Sequence, residues 1–193
     1  MDENFWGADM KTVFLSDRFL MMLVCLILIP CLGTASADPV MEYELGAKAY
    51  ESEDLISAMG HLERAAESGH AKAMLLLGYI YDKAEENTLA MKYYRNAYEQ
   101  GNAEAAMAIG TMYASGDGVE RSQETARTWY EKAAAAGDVV ALETLGLAYM
   151  NGDLGVQKNP QRGRELLRRA ADNGHRPARD LLGSMDGDEA KTN

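Results

Sequence analysis

The residues that most often build catalytic and metal sites are scarce in this sequence. Its 193 residues include only three histidines and two cysteines. The histidines are dispersed and form no HExxH pattern, which argues against a structural zinc site. There is no G-x-S-x-G elbow and no S-x-x-K motif, and the glycine-rich stretches lack the lysine of a P-loop and the oxygen ligands of an EF-hand. We therefore predict no catalytic residue, no cofactor and no metal.

Positive charge is also in short supply. The chain has 19 Lys and Arg residues against 30 Asp and Glu, a net charge of −11. Because binding to phosphate depends on clustered Lys and Arg, this balance argues against a nucleic-acid partner and against an anionic membrane surface. The imbalance lies in the first half, since residues 38–120 carry 15 acids and 6 bases whereas residues 121–193 carry 11 of each.

The longest apolar run is too short for a membrane-spanning helix, which needs about 20 residues. This run, Phe19–Gly33, has 15 residues, follows two basic residues and precedes Ala-Ser-Ala at 35–37. These features are typical of a secretory signal peptide. We predict that residues 1–37 are cleaved, with Met10 as an alternative translation start, and that the mature chain is periplasmic and not inserted in the membrane. The alternative is an uncleaved membrane anchor.

Cleavage after residue 37 would remove both cysteines, Cys25 and Cys31. The mature chain could then form no disulfide, although it is exported to an oxidising compartment. Its stability would depend on packing alone.

A Leu/Ile-Gly pair recurs along the chain at spacings of 32, 32, 36 and 37 residues. A fixed period in this range is the signature of a repeat architecture. The five pairs are Leu45-Gly46, Leu77-Gly78, Ile109-Gly110, Leu145-Gly146 and Leu182-Gly183. The sequence thus contains four repeats and part of a fifth.

The third repeat shows the helical pattern of each unit. Residues 102–114 place apolar side chains at i, i+4, i+7 and i+8, and residues 122–136 carry a second amphipathic pattern. Gly110 and Ala126 have little bulk, so we expect the two helices to approach closely there. Gly137 follows an alanine run and can adopt the left-handed conformation that ends a helix. The sequence therefore predicts antiparallel helix pairs, which must stack to bury their apolar faces.

The third repeat resembles the Sel1-like repeat. The matching positions are Ile109-Gly110, Tyr113, Gly116-Asp117-Gly118-Val119, Ala126, Trp129-Tyr130, Lys132-Ala133-Ala134 and Gly137. The fourth repeat keeps most of this pattern, whereas the first two lack the Gly-x-Gly-Val loop and look more like the shorter tetratricopeptide repeat. The resemblance implies an all-α, right-handed α-solenoid of four helix hairpins plus a C-terminal capping helix, which acts by binding other proteins.

The predicted domain boundaries follow from the spacing of the repeats. After the signal peptide, the repeat domain covers residues 38–185, and residues 186–193 form a disordered tail. The repeats are expected at about 39–69, 70–101, 102–137 and 138–174, with a partial one at 175–185.

The candidate binding surface follows from the same resemblance. In stacked hairpins of this type the first helix of each pair lines the concave side, and its outward positions here are rich in Tyr, Leu and Met, which suit a groove for a peptide or partner helix. These candidate partner-binding residues are Tyr43, Tyr50, Leu75, Tyr79, Asp82, Met107, Thr111, Glu143, Leu147 and Met150. The alternative is that tight curvature buries them against one another. A candidate basic patch near the C-terminus comprises Arg162, Arg164, Arg168, Arg169, Arg176 and Arg179.

We predict a non-catalytic adaptor or regulator in the bacterial cell envelope that binds a protein or peptide, of unidentified kind, on the concave face. One alternative is an envelope enzyme acting on peptidoglycan or β-lactams, because some cysteine-rich relatives of this family are linked to β-lactams; their cysteine pairs are absent here. The other alternative is a structural subunit of an envelope machine. The charge asymmetry also predicts weak head-to-tail self-association.

Overall fold

The computed structural model describes residues 38–192, and side chains up to residue 186. This part of the chain forms nine α-helices and contains no strand. They are α1 (Pro39–Glu51), α2 (Leu55–Glu67), α3 (Ala71–Lys83), α4 (Asn87–Glu99), α5 (Ala103–Ser115), α6 (Gln123–Ala135), α7 (Val139–Asn151), α8 (Pro160–Asp172) and α9 (Arg176–Thr192). The predicted signal peptide lies outside the described residues.

Short polar side chains begin most of the helices. In the third repeat, Asn102 accepts hydrogen bonds from the backbone N–H groups of residues 104 and 105, and Ser122 accepts one from residue 125. Such caps satisfy N–H groups that have no partner inside the helix. The helices predicted at 102–114 and 122–136 are confirmed to within one residue at each end, because these caps fix where each helix starts.

The first eight helices form four antiparallel hairpins, in which we call the first helix helix A and the second helix B. A glycine of helix A meets a large side chain of helix B at each crossing. A Cβ atom added to Gly110 would lie 2.6 Å from the ring of Tyr130, and one added to Gly78 would lie 2.5 Å from the ring of Tyr94. The same role is played by Leu62 and Leu167 in the first and fourth hairpins. The predicted close approach at Gly110 is thus confirmed.

The hairpins stack in chain order, because helix B of each repeat packs against helix A of the next. The apolar core runs between them, and its largest fully buried side chains are Leu62, Leu77, Ile109, Leu142 and Leu167. The result is an all-α solenoid, as the repeats predicted.

Helix α9 packs on α8 and covers the C-terminal end of the stack. Ala178 is fully buried, and Leu181, Leu182 and Met185 lie against the same core. The helix continues to Thr192, through residues that the sequence predicted to form a disordered tail. This segment contains no proline to stop the helix.

Candidate functional site

The outward side chains of the A helices form a surface that we call the A-helix face, which comprises the ten predicted partner-binding residues. Tyr79 is its most exposed large apolar side chain, at 41%. The Tyr50 ring meets it edge-on, with 6.4 Å between centroids, and the Lys83 ammonium lies 5.3 Å from its centroid. Neighbouring A helices therefore place their aromatic side chains together.

Two of the predicted residues also connect consecutive repeats. Tyr43 stacks on His70, with ring centroids 4.7 Å apart, and Glu143 lies with Oε2 2.9 Å from Nε2 of His175. His70 directly precedes α3 and accepts a hydrogen bond from the backbone N–H of Ala73, and His175 directly precedes α9. These contacts fix the offset between repeats, so Tyr43 and Glu143 are partly engaged within the chain.

The other side chains of the A-helix face are less engaged. Leu75, Asp82, Met107 and Leu147 are half-buried, and Thr111 is exposed. Thr111 donates a hydrogen bond to the backbone oxygen of Met107.

Met150 is also half-buried, but part of its side chain is packed within the fourth hairpin. A Cβ atom added to Gly163 of α8 would lie 2.6 Å from Cγ of Met150. Only the remainder of the Met150 side chain contributes to the A-helix face.

Two tyrosines of the B helices reach the same surface and were not among the predicted site residues. The Tyr130 ring passes over Gly110, and its hydroxyl donates to Oγ1 of Thr111 at 3.5 Å. Tyr94 passes over Gly78 in the same way. Burial, followed by the charges of Asp82 and Tyr79, raises the pKa of Tyr94. The sequence contained a signal for these two residues. The side chain that meets the glycine of helix A is Tyr in the two central repeats and Leu in the outer two.

Two arginines of the predicted basic patch have partners within the chain. Arg162 pairs with Glu165 at 2.7 Å, and Nη2 of Arg179 donates to the backbone oxygen of Ala171 at 3.2 Å. Arg164 is half-buried. The exposed remainder consists of Arg168, Arg169 and Arg176.

A buried carboxylate distinguishes the first repeat. Glu42 is 6% exposed, and its Oε2 lies 2.7 Å from Nδ1 of His61 and accepts a hydrogen bond from Nε of Arg64 at 3.0 Å. The hydrogen bonds to His61 and then Arg64 lower the pKa of Glu42, against the opposing effect of burial. His61 thus joins α2 to α1 through this polar cluster.

A polar cleft of about 460 Å³ lies between α6 and the loop after α7. Arg127 lines it, and its Nη1 donates to the backbone oxygens of Leu154 and Gly155 at 3.2 and 3.3 Å. These hydrogen bonds hold the loop against helix B of the preceding repeat.

Among residues 38–186, no three His, Cys, Asp or Glu side chains are grouped closely enough to hold a metal ion. No described helix combines the length and apolar character required to span a bilayer.

A family model for the Sel1 repeat matches residues 36–70, 71–102, 103–138 and 140–175. The chain belongs to the Sel1 repeat family. The match includes the first two repeats, so the Sel1 repeat accommodates their shorter connections. Sel1 repeat proteins are generally protein-interaction scaffolds.

Two solved structures show the same architecture. A Sel1 repeat protein from Oxalobacter formigenes is 27% identical, with a TM-score of 0.68 over 75% of this chain and 61% of its own. The protein c5321, a protective antigen of uropathogenic Escherichia coli strains with an SLR fold, is 30% identical, with a TM-score of 0.69 over 78% of this chain and 34% of its own. The chain thus spans less than two thirds of either relative. No curated protein matches it.

Proposed function

We propose that this Sel1 repeat protein is a non-catalytic adaptor or regulator of the bacterial cell envelope that binds a partner protein or peptide on the A-helix face. The observation that carries the proposal is the series of incompletely covered Tyr, Leu and Met side chains along consecutive A helices. Large apolar side chains in such a series favour a binding surface, because solvent exposure of apolar area is unfavourable.

The arrangement of the first two repeats supports a concave A-helix face. Helices α1 and α3 contact each other directly, and this contact is more extensive than that between α2 and α4. The helices that lie closer together line the inner side of a curved stack. Concave surfaces of this kind are the usual binding surfaces of helical solenoids.

Export to the periplasm rests on the sequence of the N-terminal segment, with its short apolar core and Ala-Ser-Ala end. Mass measurement of the protein purified from the envelope tests cleavage after residue 37. An intact N-terminus in the purified protein would contradict export by cleavage.

Affinity capture from crosslinked cells tests the function. We expect Tyr79→Ala/Leu147→Ala to lose the specific partner. The matched control is Ile56→Ala/Leu89→Ala, which removes two exposed apolar side chains from B helices; Ile56 is 89% exposed. Loss of the partner with the control variant alone, or equal recovery from both, would contradict the proposal.

A further inference from the structure

Helix α1 exposes a surface that every later helix A buries. In the second, third and fourth repeats, the Leu or Ile of the Leu/Ile-Gly pair lies in the core, where helix B of the preceding repeat covers it. In the first repeat the equivalent residue, Leu45, is 42% exposed. Met41 lies one helical turn earlier and is 50% exposed, whereas the later repeats have a fully buried alanine at this position. We call Met41 and Leu45 the head surface.

The head surface is unusual for the end of a solenoid, because terminal repeats normally present a polar outer face that keeps the stack soluble. It is also separate from the A-helix face. Tyr43 and Tyr50 lie on roughly the opposite side of α1, as the helical spacing of 3.6 residues per turn requires. An apolar surface at this end therefore indicates a second contact, distinct from the one proposed for the partner.

The other end of the stack has an open notch. Helix α9 contains the fifth pair, Leu182-Gly183, and so takes the place of a helix A. In each of the four hairpins, a Cβ atom added to the glycine of helix A would lie 2.5–2.9 Å from a side chain of helix B. At Gly183 it would meet no atom of the described residues within 4 Å. The structure describes no helix after α9, so this tail notch can accept a large side chain from another molecule.

The two ends carry opposite charge. Residues 38–54 contain six acids and one base, whereas residues 162–179 contain six bases and two acids. The exposed acids include three at the turn between α1 and α2, and three exposed arginines flank the turn between α8 and α9. These residues are Glu51, Glu53 and Asp54 at the first turn, and Arg168, Arg169 and Arg176 at the second. Two copies of the acidic end repel each other, whereas the acidic end of one copy attracts the basic end of another.

We propose that copies of this chain associate head to tail, with α1 of one copy packed antiparallel on α9 of the next and Leu45 placed over Gly183. This contact repeats the one that Leu62 makes with Gly46 inside the first hairpin. The antiparallel orientation is that of helix B on helix A, and it brings the acidic α1–α2 turn next to the arginines of the α8–α9 turn. Each contact uses one head and one tail, so the series continues beyond two copies.

Analytical ultracentrifugation of the protein purified from cells that express the full chain tests the inference. We expect the average mass to rise with protein concentration at low salt. The rise should be smaller in about 1 M salt, where the Debye length falls to about 3 Å. A mass of one chain at every concentration would overturn the inference.

Two variants remove the two sides of the contact separately. Leu45→Glu should weaken association at least about 10-fold, because the contact would bury the new carboxylate against α9. Gly183→Leu fills the tail notch from within the chain and should weaken association similarly, although its thermal unfolding should remain cooperative because the new side chain meets no described atom. The matched control is Leu89→Glu, which places the same charge at an exposed leucine of α4 and should associate normally.

A mixture of the two defective variants identifies the geometry of the contact. The Leu45→Glu copy keeps an intact tail, and the Gly183→Leu copy keeps an intact head. Their mixture should therefore form one-to-one pairs and no larger species, although each variant alone stays monomeric. A mixture that does not associate would overturn the inference. Undiminished association of Gly183→Leu alone, as expected for a symmetric dimer of α1 helices, would also overturn it.

Discussion

A methyl group added to Gly110 tests how the hairpins pack. The new Cβ would lie 2.6 Å from the Tyr130 ring and 3.3 Å from the backbone oxygen of Ala126. Overpacking typically costs about 1–3 kcal/mol, whereas replacing Gly with Ala inside a helix gains about 0.5–1 kcal/mol. Gly110→Ala should therefore lower the free energy of unfolding by about 1 kcal/mol.

Gly60 of α2 provides the matched control for this substitution. A Cβ there would meet only Nη1 of Arg64, at 3.8 Å. Gly60→Ala should therefore raise the free energy of unfolding by about 0.5–1 kcal/mol. The same chemical change at two helix positions should give results about 2 kcal/mol apart.

Urea denaturation, monitored by circular dichroism, measures both free energies of unfolding. The comparison requires that the unfolding free energy of each variant falls with urea concentration at the same slope as in the original protein. A double-mutant cycle identifies the cause, because Tyr130→Ala removes the ring that the new methyl group would meet. In that background Gly110→Ala should become stabilising. The packing account is refuted if Gly110→Ala remains equally destabilising without the ring.

Three further predictions concern other contacts of the chain. Because the native pKa of Glu42 is lowered, its contribution to stability is complete above the ordinary value of 4.5 and is lost as the pH falls through the lower native value. In urea titrations across this range, the free energy of unfolding of Glu42→Gln should depend less on pH than that of the original protein. An unchanged pH dependence would contradict the role of the cluster. Asn102→Ala should lower the free energy of unfolding by about 1 kcal/mol. Glu86→Ala should leave it nearly unchanged, because the Glu86 side chain makes no capping hydrogen bond. Equal losses in denaturant titrations would show that the cap has no specific effect. Arg127→Ala should release the loop after α7, seen as faster amide hydrogen exchange there with little change at the other connections, and unchanged exchange would contradict its anchoring role.

The hairpins could be predicted from the sequence because each depends on local features repeated four times. The Leu/Ile-Gly pairs mark the crossings, and polar residues such as Asn102 and Ser122 mark the helix starts. Repetition makes these signals reliable, since the same residue types recur where the same packing is required.

The details of the site were harder to predict because they depend on contacts between repeats. Tyr94 and Tyr130 have the sequence pattern of core residues. Their hydroxyls reach the A-helix face only because each ring lies over a glycine of helix A. Glu42 occupies a position where the later repeats have Met74, Ala106 and Leu142. An apolar pattern gives no reason to expect a carboxylate there, and the contacts with His61 and Arg64 become apparent only when α1 and α2 are paired.

Photo-crosslinking in living cells tests the central claim, that the A-helix face binds the partner, most directly. A photoreactive amino acid placed separately at positions 79 and 147 reports on this face, and one placed at positions 56 and 89 reports on the B helices. We predict adducts of one common partner from positions 79 and 147 and none from positions 56 and 89. Adducts from the B-helix positions alone would contradict the account.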